Sequence, residues 1–129
     1  MEEKKKVLVI DDSSMMKSYV EKFCEGCEVS QIFRLPDGFS GLDEFDAVIV
    51  DGDGIGNATW ENGFEFLMSY QKRDGQSVVY HSGYGAYGTD RDLLEAKGVA
   101  VVLKGGSPEK LAHAVRFPME MKAQSKQGE

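Results

Sequence analysis

Acids end two oily stretches of this chain: Asp11 and Asp12 follow "VLVI", and Asp51 follows "AVIV", with Asp53 two residues on. Ser82 closes a third such stretch, "VVYH", and Lys104 a fourth, "VAVVL". Carboxylates crowded together raise one another's pKa unless a cation sits among them. A set rich in carboxylates suits a hard divalent ion, most naturally Mg2+, which keeps waters and takes one or two carboxylates plus a phosphate oxygen. A carboxylate can also attack phosphorus and become an aspartyl phosphate. Phosphoryl transfer asks a protein mainly to position the group and to neutralise charge on its equatorial oxygens. A metal, a lysine ammonium and a hydroxyl suffice for three oxygens, and Asp51, Lys104 and Ser82 supply the matching residue types.

Such groups meet only if the stretches before them are neighbouring strands. Residues 6–12, "KVLVIDD", read as a buried strand, followed by a helix over 13–25 with Met15, Met16, Tyr19, Val20 and Phe23 at helical spacing. Ser13 or Ser14 is the expected cap and Gly26 the stop. "CEVSQIFRL" reads as a more exposed strand, and "PDGFSGLDEF" has room only for a short or broken helix. "DAVIVD" is a third strand, "GDGIGNATWEN" a loop, and Gly63 to Arg73 a helix with Phe64, Leu67 and Met68 inward. "SVVYHS" is a fourth strand, "GYGAYG" a loop, Thr89 to Lys97 a helix capped by Thr89, and "VAVVLK" a fifth strand. Ser107-Pro108 opens the last helix, with Leu111, Ala112 and Val115 inward, and Pro118 ends it.

Alternating strands and helices, with strands that are continuous apolar runs, predict a parallel sheet covered on both faces. In such sheets the ligand site lies outside the carboxyl ends of the strands, near the point where strand order reverses. That is why acids end the strands here: the strands deliver them to a shared site.

A length of 129 residues suits one domain, expected over 4–117, with 118–129 a polar tail. The net charge of −7 argues against a nucleic-acid partner. No apolar run approaches the ~20 residues that span a bilayer, and Val7 to Ile10 falls short of the ~7–15 residues of a signal-peptide core. A cytoplasmic protein with no membrane partner is expected. Cys24 and Cys27 form a C-x-x-C pair where a helix ends, not at the helix N-terminus that would stabilise a thiolate, and are read as half-buried thiols.

From "KVLVIDDSS" to "PEKLAHAV" the chain resembles a receiver domain of two-component response regulators. The resemblance implies an α/β, three-layer, doubly wound, five-stranded parallel sheet of the flavodoxin-like kind. It implies Asp51 as phosphoacceptor, Asp12 as direct metal ligand and Asp11 as its neighbour in the acid pocket. Asp53 stands where the family offers a backbone carbonyl to the Mg2+ ion. Ser82 matches the hydroxyl that binds the phosphoryl group, Lys104 the family's lysine, and "ENGFEF" is similar to "MDGLEL". The implied partners are a sensor histidine kinase or histidine phosphotransfer protein and a downstream protein target, docked around the last two helices. The implied chemistry is confined to the domain's own phosphorylation and dephosphorylation, so it is not an enzyme in the metabolic sense.

Departures from the family are clear. Gly105 follows Lys104 where a cis proline is usual, so this peptide is expected to be trans. Val101 replaces the switch aromatic, and the loop after Asp51 is longer and holds Trp60. "YHSGY" is similar to the "FATGY" of a receiver subfamily that also lacks the switch aromatic, with Tyr84 as its stand-in. Trp60 either caps the site or a partner, or folds back on the helix from Gly63; His81 is expected to face away from the site. "DGDGIGN" echoes a calcium loop, but Ile55 and Asn62 occupy ligand positions. The rival functions are a pseudo-receiver that binds without phosphate, and a phosphatase like the haloacid dehalogenases, read from D-x-D at Asp51 and Asp53.

Overall fold

The computed structural model describes residues 4–83 and 88–120. Strand β1 spans Lys5–Ile10, β2 Cys27–Ile32, β3 Ala47–Asp51, β4 Ser77–Ser82 and β5 Val99–Leu103. Helix α1 spans Met16–Phe23, α2 Gly63–Ser69, α3 Gly88–Ala96 and α4 Pro108–Arg116, and a single 3-10 turn covers Leu42–Glu44. All strand pairs are parallel, in the order β2-β1-β3-β4-β5. Strand order therefore reverses between β1 and β3, and the ends of these two strands carry Asp11 and Asp51.

Each face of the sheet has its own core. On one, Val7, Val9, Ile49, Val79 and Val102 pack against Met16 and Val20 of α1 and Leu111 and Val115 of α4. On the other, Leu8, Ile10, Val48, Val50 and Tyr80 meet Phe66 and Leu67 of α2, Leu94 of α3, and Leu42. The three layers and the five-stranded parallel sheet are as expected from the apolar runs.

Three helix boundaries differ from the sequence reading, each for a local reason. Neither Ser13 nor Ser14 caps α1; its N-cap is Met15, without a side-chain cap bond. Gln31 of β2 does that work instead, its Oε1 accepting from the Lys17 N–H and its Nε2 donating to the Asp11 and Ser13 carbonyls. Helix α2 ends at Ser69, not Arg73, because Tyr70 turns extended and its hydroxyl donates to buried Gln76. Thr89 lies inside the first turn of α3 and does not cap it. The last helix is as expected, with Ser107 as cap and Pro108 in its first turn. The 84–87 loop, with Tyr84, lies outside the described residues.

Candidate functional site

The carboxyl ends of β1, β3 and β5 converge. Lys104, just past β5, reaches across β4 to form ion pairs of 2.9 Å with Asp11 Oδ2 and 2.9 Å with Asp51 Oδ1. Asp11, Asp12 and Asp51 each offer a carboxylate oxygen within 4.8 Å of the others. Asp11 is 1% exposed and Asp51 6%, while Asp12 faces solvent. Buried charges survive when paired and hydrogen-bonded. Asp11 is so held: its Oδ1 accepts from the Ser13 N–H at 2.8 Å, and its own N–H donates to Ile32.

Charge is not balanced at this site. Three carboxylates face one ammonium, leaving about two negative charges. Burial pushes the Asp51 carboxyl above its usual range; the Lys104 hydrogen bond opposes that and the Asp11 charge adds to it. Burial works against the Lys104 ammonium, but its bonds to Asp11 and Asp51 outweigh it and raise its pKa. A compact, oxygen-only, anionic donor set with one solvent-facing member fits a hard divalent cation.

The loop after β3 is shaped around these acids. Gly54 has φ +82°, and a Cβ there would stand 2.8 Å from Asp12 Oδ2. The Asp53 N–H hydrogen-bonds Asp51, but the Asp53 side chain is exposed and stands outside the carboxylate group formed by the other three. Ser82, buried at the end of β4, shares a hydrogen bond with the Tyr80 hydroxyl, and both crowd the Cα of Gly52.

No protein-family model matches this sequence, and no curated protein matches it. Solved structures do. A CheY-like response regulator receiver domain protein from Methanospirillum hungatei is 20% identical with a TM-score of 0.67, covering 88% of this chain and 91% of its own. An orphan response regulator of H. pylori is 18% identical with a TM-score of 0.66, covering 90% of this chain and 97% of its own. A Burkholderia pseudomallei response regulator, solved with a phosphorylated aspartic acid and a calcium ion, is 20% identical, covering 96% of this chain and 71% of its own, with a TM-score of 0.62. This chain has the receiver fold.

Within that receiver fold, Asp11, Asp12, Asp51 and Lys104 form one cluster, and Ser82 lies at the end of the strand beside β3. No described peptide is cis, so Lys104-Gly105 is trans, and Gly105 takes φ +82° in the turn that follows. Trp60 folds back: its Nε1–H donates to the Pro36 carbonyl at 3.1 Å, and its ring stacks on Phe39 and meets Phe66 edge-on. Val101 packs against the α2–α3 core.

His81 corrects the sequence reading. It does not face away: Asp51 and His81 are partners across β3 and β4, so both side chains project from the same face of the sheet. It is 4% exposed, and burial followed by the Lys104 charge pushes its pKa from 6.5 down to about 4. Two further residues were missed. The sequence marks Tyr80 only as strand, though an aromatic with a hydroxyl in a buried run needs a partner. In the sequence Gln31 is one polar residue of an exposed strand; nothing local marks it as the clip of the β1–α1 turn.

Proposed function

We propose that this protein is a response regulator receiver that accepts a phosphoryl group on Asp51 in a Mg2+-dependent reaction. The observation that carries the reading is the bridge of Lys104 to both Asp11 and Asp51, with Asp12 alongside. The donor is a phosphohistidine on a histidine kinase or histidine phosphotransfer protein. An Asp51 carboxylate oxygen forms the bond to phosphorus while the donor's P–N bond breaks, its electron pair staying on the imidazole nitrogen, which takes up a proton. Asp11, Asp12 and Asp51 would hold the ion, with Asp53 contributing from its backbone, and the ion supplies charge neutralisation at a phosphoryl oxygen. Lys104 neutralises a second oxygen and Ser82 donates to a third. The Burkholderia neighbour's phosphorylated aspartate and another neighbour described as a beryllofluoride-activated receiver domain support the same chemistry here.

The output is docking on a downstream protein, through α3, β5 and α4, where Leu103 and Phe117 are exposed. Among the described residues no helix is long and apolar enough to cross a membrane. A signalling domain, not a metabolic enzyme, is the reading the neighbours support. Incubation with Mg2+ and acetyl phosphate, followed by intact mass measurement, tests it. The expected result is one added phosphoryl group, lost in Asp51→Asn; no added mass leaves the phosphate-independent binding module instead. The phosphatase reading is disfavoured by the exposed Asp53 side chain, and only Asp53-dependent turnover of a phosphate ester would restore it.

A further inference from the structure

β4 lies between β3 and β5, so Lys104 must cross β4 to reach Asp51 and Asp11. Adjacent strands lie about 4.8 Å apart, so the crossing takes nearly the full reach of a lysine side chain. His81 is the β4 residue in register with Asp51, on the face from which Asp51 projects, so the lysine passes over it. His81 and Lys104 line one cavity of about 240 Å3, with Gly105 and, from α1, Met15, Met16 and Tyr19.

His81 Nδ1 is buried and has no hydrogen-bond partner. Leaving such an atom unpaired is destabilising, and an apolar residue would avoid it. Beside it stands an ammonium with three N–H donors, two of them directed to Asp11 and Asp51. His81, with its unpartnered Nδ1, and Lys104 thus line the same space. Acyl phosphate formation at Asp51 would take the carboxylate charge from one lysine partner and set phosphoryl oxygens beside it, so the ammonium must redirect its N–H groups.

We infer that His81 is a positioning residue for Lys104: its Nδ1 is the seat that receives a Lys104 N–H when the Asp51 site is occupied. The inference rests on the phosphoacceptor reading of Asp51 and extends it. The imidazole is neutral at physiological pH, so Nδ1 can carry the required lone pair. With one N–H fixed on β4, the ammonium stays over the acceptor site and directs the others at the phosphoryl oxygens.

The test uses beryllofluoride as the phosphoryl mimic in the presence of Mg2+, read by 19F NMR of the bound species. His81→Leu should weaken beryllofluoride binding about tenfold, His81→Gln should restore most of it, and Mg2+ affinity without beryllofluoride should stay within twofold. In the unaltered chain the 15N resonance of His81 Nδ1 should move to a hydrogen-bonded value on beryllofluoride addition, and should not move in Lys104→Met. This measurement needs no His81 variant to fold. Equal binding by His81→Leu and the unaltered chain, or a stationary Nδ1 resonance, overturns the inference while leaving the acceptor reading intact. Failure of the unaltered chain to bind beryllofluoride, or equal binding by Asp51→Asn, overturns both.

Discussion

Among single residues, His81 separates what a strand sequence reveals from what it hides. The apolar runs point to Asp11, Asp51, Ser82 and Lys104 because each run must stop where the sheet meets solvent. They say nothing about which face His81 takes, since every residue of β4 is buried and the run lacks a two-residue alternation. Its burial has a measurable consequence. A base whose pKa falls from 6.5 to about 4 on folding binds its proton more readily in the unfolded chain. That contribution is fully present above pH 6.5 and is lost as pH drops through about 4, by about 3 kcal/mol in all. Urea unfolding across this window should show the decline, and His81→Leu should flatten it. Asp46 does not confound the result: its bonds to the Lys6 N–H and Arg73 hold it below 3.8, so it acts only in stronger acid. Lys104→Met should strengthen metal binding, which His81→Leu leaves unchanged. With the ammonium gone the three carboxylates lose their internal cation, and Mg2+ affinity should rise about tenfold by calorimetry.

For whole elements, the strands and the starts of α2 and α4 are legible in the sequence, and the caps of α1 and α3 and the end of α2 are not. Strand positions follow from local runs, whereas the start of α1 is fixed by Gln31 from another strand, which no cap pattern signals. Gln31→Leu removes three hydrogen bonds at a partly buried turn and should cost about 1–2 kcal/mol in urea unfolding. Ser13→Ala and Ser14→Ala should each stay within about 0.5 kcal/mol. Equal losses in all three would mean that a serine does cap the helix. The junction of β3 and α2 is less forgiving still. Gly63 begins α2 against the end of β3, where an added Cβ would stand 2.0 Å from the Asp51 carbonyl oxygen, a backbone atom. Gly63→Ala must therefore push α2 away from the strand that carries Asp51. A loss above about 2 kcal/mol is expected, along with a weaker response to beryllofluoride.

For the molecule as a whole, two kinds of negative charge must be told apart. A net charge of −7 spreads repulsion over the surface, and any salt relieves it by screening. The carboxylates of Asp11, Asp12 and Asp51 gather charge at one point, where a chelated ion would do what screening cannot. Ligand linkage gives the size of that effect: for a Kd on the order of 1 mM, roughly 10 mM Mg2+ stabilises the fold by about 1.4 kcal/mol. For a chain of this length the gain corresponds to roughly 3–5 °C in Tm. Sodium chloride at matched ionic strength should supply only the screening part, and the excess due to Mg2+ is the quantity to measure. Asp12 faces solvent, so Asp12→Ala should leave the fold unharmed while removing one carboxylate of the proposed ion site. The magnesium excess should vanish in that variant while the response to sodium chloride persists. Were the excess the same in both proteins, the ion would be acting on the diffuse charge, and the strand-end acids would have no special claim on it.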